Sequence, residues 1–140
     1  MNNYNIAKSN GDPQYGGANS PVQLIAADIT LTAADAGKTF LVATDALTIT
    51  LPATIAGCEY TFINHGAAGN NIITVSPQST DGIAGTITLA SSVVTRVGTV
   101  DTDLVNTKAT STKGNTVVIR GTGVTGTGAW YIVSSTGIWA

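Results

Sequence analysis

Apolar and polar residues alternate along most of this chain with the two-residue period of β-strands. The clearest stretch is residues 31–66, where three alternating runs, at 39–43, 47–51 and 58–64, are separated by turn residues. Pro52 has no N–H to give to a sheet, so it ends the second run. We interpret this stretch as an antiparallel meander with one buried face.

The remaining chain after residue 22 continues the strand pattern. Residues 22–31 hold one or two strands, with Leu24 among the core candidates, and Thr32 and Asp35 have the spacing that caps a short helical turn. Further runs lie at 72–76, 83–90, 93–97, 104–107, 116–120 and 129–134. About eight or nine short strands, without a helical period longer than two turns, predict an all-β sandwich or barrel over residues 22–140.

Residues 1–21 differ from the rest in composition. They are rich in Asn, Gly, Ser and Pro, show no periodicity, and lack the basic and apolar regions of a signal peptide. We expect neither a leader nor a membrane span here, but an extended arm that docks on a neighbouring subunit through Tyr4, Ile6 and Tyr15. The alternative is an unstructured tail.

The chain carries unusually little charge. Asp, Glu, Lys and Arg make up 10% of its residues, against about 25% in an average soluble domain. The formal net charge is −2, and Lys and Arg form no cluster, so we do not expect nucleic-acid binding. Low charge favours a protein packed against its own copies or a partner, and the alternative is a neutral secreted domain.

Few residues suggest catalysis. Cys58 is the only cysteine, which excludes an intrachain disulfide, and we expect a buried, inert thiol. His65 is the only histidine and lies at the other end of the same strand, roughly 20 Å away, which is too far for a catalytic dyad. The stretch Gly121 to Gly126 matches a dinucleotide-binding fingerprint, but a strand rather than a helix follows it, so we interpret it as a hairpin loop.

Three further features have alternative interpretations. Glu59, the only glutamate, fits a solvated strand face better than a paired-carboxylate site, which an aspartate would have to complete. Asp101 and Asp103 form a polar loop or, as a minority interpretation, part of a calcium site. We expect Trp130 and Trp139 to lie in the core or in a subunit contact rather than on a carbohydrate-stacking platform.

Three segments resemble a β-domain that recurs in tailed-bacteriophage virion proteins. They are LTAADAGKTFLV from residue 31, ITLP from residue 49 with AGCEYTF from residue 56, and WYIVSSTGIW from residue 130. The resemblance covers roughly residues 24–140. It implies a jelly-roll-like antiparallel β-sandwich, often trimeric, found in capsid decoration (cement) proteins and in head or tail fibre modules.

Because the chain is little more than this domain and an arm, the resemblance favours a decoration protein. It implies a non-enzymatic homotrimer that binds the major capsid protein on the capsid exterior, after synthesis in the host cytoplasm. No cofactor, small-molecule substrate, membrane or nucleic acid is expected. The alternatives are a fibre module that binds a receptor or glycan, and a small carbohydrate-active domain that uses Glu59.

Overall fold

The computed structural model describes residues 21–66 and 71–140, which form an all-β sandwich of two packed sheets. The strands in these residues are β1 (Val22–Ile25), β2 (Ile29–Thr30), β3 (Thr39–Val42), β4 (Leu47–Thr50), β5 (Glu59–Asn64), β6 (Ile73–Ser76), β7 (Asp81–Thr88), β8 (Val93–Val97), β9 (Leu104–Asn106), β10 (Thr116–Gly121) and β11 (Gly126–Thr136). One sheet has the order β1-β3-β5-β10-β11-β7-β8, and the other β2-β4-β6-β9. The all-β sandwich predicted from the sequence is confirmed.

The first half of the sandwich is a stack of three coils. Each coil gives one strand to the seven-stranded sheet and the next strand to the four-stranded sheet: β1 and β2, then β3 and β4, then β5 and β6. Successive coils pair in parallel in both sheets. This is the arrangement of a short parallel β-helix, in which each coil buries its apolar side chains only by stacking on the next.

The second half closes the stack with mostly antiparallel strands. β10 lies between β5 and β11 and is antiparallel to both, β7 is antiparallel to β8, and β9 is antiparallel to β6. The pairing of β11 with β7 is parallel. Val105 of β9 and Ala140 exchange two backbone hydrogen bonds of 2.7 and 2.9 Å, so the last residue of the chain covers the outer edge of β9.

The predicted antiparallel meander over residues 31–66 is wrong. Its three runs are strands, as expected, but β3 and β4 lie in different sheets, and β3 pairs with β5 in parallel. The pairing in the first half therefore also departs from an antiparallel jelly roll, and the described residues hold eleven strands rather than about eight. Alternation within a strand shows that one face is buried, but it does not identify the sheet or the neighbouring strand.

The core lies between the sheets and contains a group of packed aromatic rings among its aliphatic side chains. The rings of Phe40 and Phe62 stack with centroids 5.8 Å apart, and Tyr60 lies 5.7 Å from Trp130. All four side chains are fully buried. Leu24, which the sequence placed among the core candidates, is instead 59% exposed, because β1 turns Ile25 inward.

The short helical turn predicted after residue 31 is confirmed. A 3₁₀ turn spans Ala33–Asp35, with Thr32 as its N-cap and a reciprocal hydrogen bond from the Thr32 N–H to the Asp35 carboxylate at 2.9 Å. Burial raises the pKa of Asp35, but its hydrogen bonds from Lys38 and Thr32 outweigh this and lower that pKa overall. The turn links the first coil to the second.

Candidate interaction surface

The outer face of the four-stranded sheet is lined by hydroxyl groups. In-register parallel pairing places Thr30 beside Thr50 and Thr50 beside Ser76, while Thr48 lies beside Thr74. The one apolar side chain among these strand positions is the half-buried Val105 of β9, which pairs with Thr74. These side chains are exposed or half-buried and point away from the core. This face has the composition of an ordinary hydrated surface.

The outer face of the seven-stranded sheet differs because aliphatic side chains cross it in a row. Leu24 pairs with Leu41, and Leu41 pairs with Ile63, so three large side chains lie side by side on β1, β3 and β5. Leu24 is 59% exposed, and the other two are half-buried. We call these three residues the aliphatic row.

Only one pair of charges lies on the strands of this outer face in the part of the chain that the structure describes. Glu59 on β5 and Arg120 on β10 are directly opposite, and Arg120 donates hydrogen bonds of 2.6 and 3.0 Å to one carboxylate oxygen of Glu59. The pair neutralises itself. Glu59 therefore lies on a strand face, as expected, with a partner that the sequence did not reveal.

Apolar side chains are also exposed at the far end of the same sheet. Val93 and Val97 on β8 are 64% and 74% exposed, and Tyr131 on β11 is 49% exposed. Arg96, the only charged residue of β8, turns away from them and donates to the backbone carbonyls of Ile83, Thr102 and Asp103 at 2.7–2.9 Å. Burial lowers the pKa of Arg96.

Both tryptophans are core residues within the chain. Trp130 and Trp139 have no exposed surface, and Trp139 donates from Nε1 to the carbonyl of Thr136 at 3.0 Å. Tyr131, next to Trp130 on β11, is exposed, whereas neither tryptophan presents a ring for glycan stacking. Tyr4, Ile6 and Tyr15 of the predicted arm lie outside the described residues.

The residues with catalytic potential are separated or serve the fold. Cys58 is buried, and its Sγ lies 3.0 Å from the hydroxyl of Tyr60, while His65 is exposed. Burial, followed by the contact with Cys58, raises the pKa of Tyr60. The Gly121 to Gly126 stretch connects the antiparallel strands β10 and β11, so the predicted hairpin loop is confirmed.

Most acidic side chains of the described residues bind backbone N–H groups. Asp28 accepts from Thr48 at 2.9 Å, Asp45 from Ile72 at 2.8 Å, and the buried Asp81 from Thr54 at 2.8 Å. No group of three or more potential metal ligands occurs within residues 21–66 and 71–140, so Asp101 and Asp103 have no third ligand of this kind there.

A buried amide network, which the sequence patterns did not predict, joins the two sheets. Asn64 donates to Asn106 at 3.2 Å, and Asn106 donates to Asn115 at 3.2 Å and to the carbonyl of Ile138 at 2.8 Å. The three asparagines are at most 7% exposed. The signal was present, because Asn64 occupies an inward position of the alternating run 58–64, where an apolar residue is expected.

Comparison with known proteins does not assign the surface. No family model matches the chain, and no curated protein is significantly similar to it. None of the helical turns among the described residues has the length and hydrophobicity needed to cross a membrane.

Proposed function

We propose that this chain is a non-enzymatic virion structural protein, a capsid decoration or cement protein that binds between major capsid protein subunits on the capsid exterior. It works by occupying a surface. The observation that carries the proposal is a difference between its two outer faces: both carry threonines and little charge, but only the seven-stranded face places large aliphatic side chains side by side, in the aliphatic row. Aliphatic residues that lie side by side on an outer face favour a contact with another protein surface within the assembled shell.

The use of the polar side chains supports a structural role. Asp28, Asp45 and Asp81 bind backbone N–H groups of neighbouring segments, and Glu59 binds Arg120. Enzymes need ionisable groups that converge on a substrate with their hydrogen-bonding capacity available. Here these groups hold coils and strands together, which suits a shell component under mechanical load.

The homotrimer and the arm of residues 1–21 have a role in multivalent binding in this proposal. A homotrimer that binds three equivalent capsid sites gains effective concentration, so each contact needs only modest affinity. In this proposal residues 1–21 reach across the capsid protein, with Tyr4, Ile6 and Tyr15 as anchors. The domain of residues 22–140 lies on the capsid exterior. The protein is made in the host cytoplasm and then assembles onto the virion.

Cosedimentation with empty, expanded capsids made from the major capsid protein of the same genome tests this proposal. We expect saturable binding by the full chain and weaker binding by a Tyr4→Ser/Ile6→Ser variant. A matched Asn3→Ser/Asn5→Ser variant alters the alternate positions of the same segment and should bind like the original chain. A full chain that does not sediment with capsids would refute the decoration function.

The second candidate is a head or tail fibre module that binds a receptor or glycan. One observation favours it: Tyr131 presents an exposed ring beside the exposed Val97 end of the sheet. Binding of the chain to host-cell glycans in the absence of capsids, abolished by Tyr131→Ala, would support this function instead.

A further inference from the structure

Equivalent positions on the two outer faces of the sandwich carry different side chains. In the first coil, Leu24 on β1 and Thr30 on β2 occupy equivalent places: each is exposed, and each lies on an edge strand of its sheet. One is a large aliphatic residue and the other a hydroxyl residue. In the second coil, the seven-stranded face carries Thr39 and Leu41, whereas the four-stranded face carries Thr48 and Thr50.

The aliphatic row places one exposed leucine beside two half-buried aliphatic residues on an outer face. Parallel pairing keeps Leu24, Leu41 and Ile63 in register, so their side chains form one continuous strip rather than scattered apolar contacts. The half-buried Val118 of β10 lies two positions from the residue that pairs with Ile63, and it widens the strip. A strip of this kind is suited to burial against another apolar surface.

The charges on this face limit how much charge a partner surface can carry. Glu59 and Arg120 satisfy each other, so the described strands of this face offer no unpaired charge to an acidic or basic partner. A partner that covers it must also be close to uncharged, because burying an unpaired charge is unfavourable. The outer face of another copy meets this requirement. In the proposed homotrimer, the aliphatic row at one end of the face would pack against a different part of the same face on the next copy, because a closed three-fold ring uses two different patches of each chain.

The size of the face is adequate for a specific contact. Seven strands at a spacing of about 4.8 Å give a width of about 30 Å, and six-residue strands such as β5 and β10 are about 20 Å long. The resulting area, about 600 Å², is of the same order as the roughly 800 Å² that each partner buries in a typical stable interface.

We infer that the outer face of the seven-stranded sheet, centred on the aliphatic row, is the surface through which copies of this chain associate with one another. The inference deepens the proposed function and rests on its self-association. It leaves the hydroxyl-lined face turned outward. It also assigns different surfaces to self-association and to capsid binding, which the arm provides.

Mass measurement by light scattering on the full chain, over a range of concentrations, tests the inference. We expect an oligomer whose dissociation constant rises by about tenfold or more in Leu24→Asp, because a buried charge would lack a partner. Thr30→Asp places the same charge on the equivalent edge position of the other sheet and should leave the mass unchanged. Circular dichroism of both variants confirms that each is folded.

Hydroxyl-radical footprinting provides a second measurement that needs no substitution. Leu24 should lose reactivity as the concentration rises through the association range. Val124, which is 68% exposed in the loop between β10 and β11, serves as the control that keeps its reactivity. Equal protection of both residues, or of neither, would refute the inference.

The outcomes separate this inference from the decoration function. A monomer that still cosediments with capsids, or an oligomer that Leu24→Asp leaves intact, overturns the interface and leaves decoration in place. An oligomer that dissociates in Leu24→Asp but never binds capsids supports the interface and overturns decoration.

Discussion

The carboxylate of Asp28 accepts a hydrogen bond of 2.9 Å from the backbone N–H of Thr48, which joins the first coil to the second. Asp45 makes the equivalent bond to Ile72 at 2.8 Å, from the second coil to the third. In both cases an aspartate shortly before a strand of the four-stranded sheet binds the next coil. These bonds stabilise the corners of the stack, where the chain passes from one sheet to the other.

Removing the first of these bonds should weaken the fold measurably. We expect Asp28→Ala to lower the free energy of unfolding by about 1 kcal/mol, the cost of losing a side-chain cap on a backbone N–H. Asp28→Asn retains an acceptor and should cost less. Urea denaturation measures both, with Asp101→Asn as a control in an exposed loop. An unchanged midpoint for Asp28→Ala would contradict the role.

Acidification should destabilise the chain through Asp45. Its hydrogen bond from Lys108, followed by the bond from Ile72, lowers its pKa below the usual 3.8. A carboxyl group with a lowered pKa in the folded state stabilises the fold above its unfolded pKa of about 3.9. That contribution is lost as the pH falls below 3.9 and through the folded pKa.

Urea denaturation between pH 2 and pH 6 measures this dependence. We expect a shallower loss of stability below about pH 4 in Asp45→Asn, which cannot titrate. Identical pH profiles for the two proteins would show that Asp45 contributes nothing to the acid response.

Breaking the buried amide network should be more damaging than altering the surface beside it. Asn106→Ala removes the acceptor of Asn64 and the donor to Asn115, and leaves both partners buried. The substitution also removes the bond to the Ile138 carbonyl, while Asn115 keeps its hydrogen bond of 2.9 Å from the Thr112 N–H. Because three hydrogen bonds of buried groups are lost, each worth about 0.5–1.5 kcal/mol, we expect a loss of about 2–4 kcal/mol. Val105→Ala, on the outer face of the same strand, should cost less, and equal losses would refute the assignment.

Two glycines with the same backbone conformation should respond differently to substitution. Gly114 and Gly137 have φ angles of 93° and 83°, in the region that favours glycine. A Cβ at Gly114 would meet no heavy atom within 4 Å, whereas one at Gly137 would overlap the amide of Asn115. We expect Gly114→Ala to cost about 1–2 kcal/mol and Gly137→Ala to cost clearly more, measured by thermal unfolding.

The thiol of Cys58 should be unreactive in the folded protein. It is 4% exposed and contacts the hydroxyl of Tyr60. We expect alkylation, followed by mass spectrometry, to label Cys58 only under conditions that unfold the chain. Rapid labelling of the native protein would indicate a more open strand end than the structure has.

The strands could be predicted from the sequence, whereas their pairing could not. Residues 47–51 alternate, and Pro52 stops them, so β4 is apparent from local chemistry alone. Whether β3 and β4 form a hairpin or belong to different sheets depends on which strand pairs with β3. Thr39 of β3 pairs with Val22 of β1, which lies 17 residues earlier in the chain. The two-residue alternation within a strand carries no information about a partner that far away in the sequence.

The inward face of β1 was ambiguous for a related reason. Its sequence, VQLI, has apolar residues on both faces, so alternation alone does not decide between Leu24 and Ile25. The structure buries Ile25 and exposes Leu24. This ambiguity concealed the aliphatic row, because an apolar residue on an outer face resembles a core residue in the sequence.

The coil stack also provides a way for a protein of this design to change height. Its first coil pairs only with the second among the described strands, while the closing strands β9 and β10 bind the third. An additional coil inserted next to the first would add one strand to each sheet without disturbing the closure. Duplication of a segment about as long as one coil would therefore yield a taller module on an unchanged base, with its outer rows extended by one residue each.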